Sequence, residues 1–80
     1  MATLFKVGSY RIVVYTNDHR PPQVHAVGGG HAGFEIGEVP GDVKLTECEG
    51  VSRRDLRRIA REIIERHDEC VAGWSRHHGK

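Results

Sequence analysis

Eighty residues carrying 12 Lys/Arg and 11 Asp/Glu, for a formal net charge of +1, make one modest domain spanning 1–80. A chain of this size buries only about two-thirds of its unfolded surface, and no stretch nears the ~20 apolar residues of a membrane span. Two cysteines, Cys48 and Cys70, with no CxxC spacing fit a reducing compartment, and the first residues lack the basic lead and apolar run of a signal peptide. The expectation is a soluble cytoplasmic protein. The charge is uneven: four Lys/Arg against six Asp/Glu precede Ser52, and eight against five follow from it, so the basic character is local to the second part.

Leu4 to Val7 is a short apolar run closed by Gly8-Ser9, a joint of the length and leading glycine of a type II′ hairpin. Tyr10 to Tyr15 is β-branched or aromatic except for Arg11 and predicts a strand antiparallel to the first. Thr16 to Pro22 is a turn cluster, in which Asn17 and Asp18 favour side-chain turns and Pro21-Pro22 forbid helix. Gln23 to Val27 alternates and predicts a third strand. Gly28-Gly29-Gly30 is a flexible hairpin tip. His31 to Ile36 returns as a fourth strand, with Phe34 and Ile36 on one face. Pro40-Gly41 marks a turn, and Val43 to Thr46 predicts a fifth, edge strand with Val43 and Leu45 in phase.

From Ser52 the period changes. Leu56, Ile59, Ala60, Ile63 and Ile64 form the apolar stripe of an amphipathic helix over 52–66. Ser52 is its N-cap, Asp55 the capping-box partner, and Val51 with Leu56 the hydrophobic staple. The pattern continues through His67, Val71 and Trp74. That leaves open one long helix or two, the second over 68–77 and capped at His67-Asp68, with Gly73 weakening its last turns. The class is α+β: an antiparallel sheet of four to five strands, about 4–47, packed on one or two C-terminal helices.

Two sets of residues carry candidate chemistry. His25 and His31 flank the glycine tip and are placed to lie side by side across the hairpin, and His19 stands at the mouth of the preceding loop. Three converging imidazoles suit zinc or another borderline metal with a position open to water. They equally suit metal-free acid–base work, such as RNA cleavage with Arg20 or Arg11 on the phosphate. No Asp or Glu is obviously placed as a further ligand, no cofactor is called for, and the metal question stays open. The plainer alternative makes His19 a turn residue and His25 and His31 exposed sheet residues.

The second set is Arg53, Arg54, Arg57, Arg58 and Arg61, in two i, i+4 rows (53/57/61 and 54/58) forming one cationic flank. Arg53 and Arg54 sit at the positive end of the helix dipole, where cations are unfavourable by a few tenths of a kcal/mol each. Folding does not ask for them there, whereas a phosphate backbone or an acidic partner surface would. The plainer alternative is a solvated face partly offset by Glu62 and Glu65. The helix lacks interleaved aromatics, which argues against a stacking platform for single strands. The triglycine is followed by a strand rather than a helix, so a phosphate-cradling loop fails on context. Cys48 and Cys70 have no activating context, and Trp74 is expected to cap the core.

The run Tyr15-Thr16-Asn17-Asp18-His19-Arg20-Pro21-Pro22-Gln23-Val24-His25-Ala26, the glycines and strand after it, the Arg-rich Ser52-Arg53-Arg54-Asp55-Leu56-Arg57 segment and Trp74 together resemble the small bacterial proteins grouped as domain of unknown function 4160. The resemblance covers nearly the whole chain. The family's usual His-x-Pro-Pro-His-x-His is His-x-Pro-Pro-Gln-x-His here, with Gln23 in the middle position. Members are often encoded beside a second small protein in a toxin–antitoxin-like arrangement. The resemblance therefore implies a cognate small protein partner and nucleic-acid contact, and brings no settled activity. The leading expectation is an interaction protein of such a module acting through the arginine flank. A metal-independent ribonuclease-type toxin and a metal-binding domain are the alternatives, so whether the chain is an enzyme stays open.

Overall fold

Among the described residues, alternation in the first part of the chain produces five strands and the 3.6-residue period of the second produces two helices. They are β1 (Ala2–Val7), β2 (Tyr10–Val14), β3 (Gln23–Val27), β4 (His31–Ile36), β5 (Val43–Glu49), α1 (Arg53–Glu65) and α2 (His67–His78). This is a computed structural model, and it describes residues 2–15 and 22–78. The strands form one antiparallel meander in the order β1-β2-β3-β4-β5, so the α+β class is as expected and the sheet has five strands. Gly8 turns the first hairpin with φ +60°, a conformation that glycine adopts at no steric cost. The Pro40-Gly41 turn is closed by Asp42 N–H donating to Val39 O at 3.0 Å.

One sheet face carries Phe5, Val7, Ile12, Val14, Val24, Ala26, Ala32, Phe34 and Ile36. They pack with Ile59 and Ile63 of α1 and Cys70 and Trp74 of α2 in a single core. Ile63 is fully buried and Ile59 nearly so, so the stripe faces the sheet. Ile64 is the exception. It is 38% exposed because it lies ~100° around the helix from Ile63, beyond the strip the sheet covers. Ser52 caps α1 as its sequence predicts, its Oγ accepting from Asp55 N–H at 3.1 Å.

The helical segment is two helices, divided at Arg66, whose φ −111° and ψ 33° leave the α region. The second begins at His67 and runs to His78, one residue wider at each end than the expected 68–77. His67 is not a surface cap. Its ring is buried and Nε2 donates to Gly37 O at 2.7 Å, tying the start of α2 to the β4–β5 connection. Trp74 caps the core as expected, 2% exposed. No helix among the described residues is long and apolar enough to cross a membrane.

Candidate functional site

The sheet face turned away from the helices carries the histidines. In a strand successive side chains alternate between faces, so His25, Gly33 and Glu47, which pair across β3, β4 and β5, share the face opposite Val24, Phe34 and Leu45. His31 pairs with Val27, one step diagonal to His25. The two imidazoles stack with centroids 5.3 Å apart and planes 17° apart. Tyr15 flanks His25 from β2's end at 4.5 Å. His25 is only 5% exposed, whereas the His31 side chain is one-third exposed. The expectation that these histidines lie together across the hairpin is met, and they are not both exposed sheet residues. His19 lies outside the described residues.

Sequence spacing places no carboxylate beside these histidines, and the tertiary fold supplies one. Glu47 Oε2 lies 3.8 Å from His25 Nδ1 and 3.7 Å from His31 Nε2. Two backbone features bring it there. The β4–β5 register shifts between Gly33 and Phe34, so that Leu45 faces Phe34 while Glu47, not Thr46, faces Gly33. Without this bulge, residues 43, 45 and 47 would share the core face and Glu47 would point towards the helices. Gly33 then leaves the gap through which Glu47 crosses, since a Cβ there would lie 3.0 Å from Glu47 Cγ and 3.1 Å from its Oε2. A carboxylate between two imidazoles can relay a proton or hold a cation.

The arginine flank is where the helix period places it. Arg53, Arg54, Arg57, Arg58 and Arg61 are all exposed, and among the described residues none of the five enters an ion pair. Arg66 differs: it pairs with Glu62 and Glu69 and lies 4.7 Å over the Phe5 ring. Arg54, Arg57, Arg58 and Arg61 line one depression together with Asp55 and Glu62. Arg53 and Arg57 also rim a groove of about 220 Å³ between α1 and β5, floored by Phe34, Val43, Leu45, Leu56 and Ala60. Leu45, 45% exposed, is the most accessible apolar side chain of that floor.

A cleft of about 690 Å³ lies between α2 and the β4–β5 connection, lined by Ile36, His67, Val71 and Trp74 among others. Its buried imidazole, His67, is held by Gly37 O and serves the fold. The cysteines are free. Cys48 is exposed and Cys70 fully buried. Burial, reinforced by Glu69 and partly opposed by Arg66, pushes the Cys70 thiol up to about 12, so it is no nucleophile.

Among curated proteins nothing matches this chain, and no solved structure matches it either. A family model described as domain of unknown function (DUF4160) matches residues 9–75 of the 80, a span holding both histidines of the cluster, Glu47, all five arginines and Trp74. The chain belongs to the DUF4160 family.

Proposed function

We propose that the chain is one component of a two-protein, toxin–antitoxin-like module and that it grips its partner in the groove between α1 and β5. The observation that carries this reading is the pairing of an accessible apolar floor, centred on Leu45, with Arg53 and Arg57, which enter no ion pair among the described residues. Arginines beside an apolar core are enriched at protein interfaces, where a desolvated guanidinium is a frequent hot spot. A groove of about 220 Å³ is below the usual size of a small-molecule site. It suits an amphipathic segment whose apolar side covers Leu45 and whose acidic side meets the arginines. Position in the sheet adds a second means of contact, because β5 is an edge strand with backbone groups free to pair.

The test is co-expression with the neighbouring small protein, followed by size-exclusion chromatography and a salt series. A complex that weakens with salt is expected. It should be lost in Arg53→Glu/Arg57→Glu and, separately, in Leu45→Asp, each change costing about 2 kcal/mol of binding or more. A complex indifferent to both changes removes the groove from the interface. Binding of duplex or single-stranded oligonucleotide that depends on the arginines but not on Leu45 would replace the protein partner with nucleic acid.

A further inference from the structure

We propose that His25, His31 and Glu47 form a binding site for a divalent transition ion of the zinc class, with a fourth position open to water or ligand. The inference is independent of the groove, because these side chains project from the opposite side of the sheet. Two imidazole nitrogens and one carboxylate oxygen are a donor set such ions accept. The three donor atoms all lie within 4.8 Å of one another. Bonds of about 2.0–2.1 Å would set tetrahedral ligand atoms roughly 3.3–3.4 Å apart. The carboxylate already stands 3.8 and 3.7 Å from the two nitrogens.

Closing these gaps, the widest reaching 4.8 Å, takes a side-chain rotation, and the structure allows it on one side only. His25 is buried and flanked by both the Tyr15 and His31 rings, so it is the fixed ligand. The His31 side chain is 33% exposed and that of Glu47 55%, so they adjust. Binding would rotate His31 out of its stack to aim Nε2 at the ion. The bulge and the missing Cβ at Gly33 are the backbone devices that aim Glu47. A surface ion pair between His31 and Glu47 would need neither, since it is worth well under about 1 kcal/mol in any register.

The test is titration of the chelator-stripped full chain with Zn²⁺ by calorimetry, and with Co²⁺ by visible spectroscopy. One ion per chain, a raised melting midpoint and the d–d bands of four-coordinate Co²⁺ are expected. Because His25 is buried, His25→Ala endangers the fold, so His31→Ala and Glu47→Gln carry the comparison. Each should lower affinity by more than about tenfold while leaving the metal-free melting midpoint where it was. Absence of stoichiometric binding overturns the proposal. So does wild-type affinity in the His31→Ala/Glu47→Gln double variant, which would put the ion elsewhere, for example at exposed Cys48.

Discussion

Gly33 faces Glu47 across β4 and β5, and a Cβ at this position would meet both the Glu47 side chain and, at 3.1 Å, Thr46 Oγ1. Glu47 is exposed and free to swing outward. Gly33→Ala should therefore change stability by no more than about 0.5 kcal/mol while displacing the carboxylate from His25. Denaturant melts together with Zn²⁺ titration check this. A variant that binds Zn²⁺ as well as the parent would show that the gap is not what admits Glu47.

The cysteines give a second prediction at this scale. Cys48 should react with a thiol reagent in the folded protein and Cys70 only after unfolding. The folded thiol of Cys70 titrates near 12 and the unfolded one near 9.0. The unfolded state therefore binds fewer protons between these values, and stability falls as pH rises from 9 towards 12. Cys70→Ala should flatten that alkaline limb in denaturant melts, and an unchanged slope would assign it to other groups.

Among the elements, α1 joins a capped start, a core-facing stripe and the arginine flank. Its start depends on the Ser52 Oγ bond, so Ser52→Ala should cost about 1 kcal/mol. Its hold on the sheet depends on Ile63, so Ile63→Ala should cost about 2–5 kcal/mol, and Ile63→Asp, an unpaired charge in the core, should prevent folding. A soluble, cooperatively melting Ile63→Asp protein would contradict the packing described. The arginines obey a different rule. At the first turn of α1, Arg53→Glu and Arg54→Glu should each raise stability by a few tenths of a kcal/mol, because the helix dipole favours an acid there. Calorimetric melting midpoints decide the sign. A gain in stability joined to a loss of partner binding is the signature of residues kept for an interface.

At the scale of the whole molecule, β5 joins two separate surfaces. Leu45 faces the helix side and floors the groove, while Glu47 faces the other side and completes the histidine cluster. The bulge between them is what divides the strand between the two faces. Charge reversal at Arg53 and Arg57 should leave Zn²⁺ affinity within about twofold, since the sheet separates the two sites and distant changes add. Coupled losses in calorimetry would mean that β5 moves as one rigid unit between them.

What the sequence by itself determined is whatever depends on local period and local chemistry. The Ser52 cap, the Leu56–Ile63 stripe, the Gly8-Ser9 hairpin, the bounds of β3 and β4 and the solvent-facing arginines all follow from neighbours within a few residues, where backbone geometry repeats, whereas β5 runs on past the expected Thr46 to Glu49 because pairing with β4 extends it. The stripe misled only at its margin, at Ile64, because the width of the covered face is set by the sheet. Tertiary structure alone decided that the helical segment breaks at Arg66, since the long-range bond from His67 to Gly37 belongs to no local pattern. It also decided that Glu47 joins His25 and His31. Strict alternation puts Glu47 in phase with Val43 and Leu45, and one extra residue in the ladder reverses that phase. A bulge is a property of two paired strands, and neither strand's sequence announces it alone.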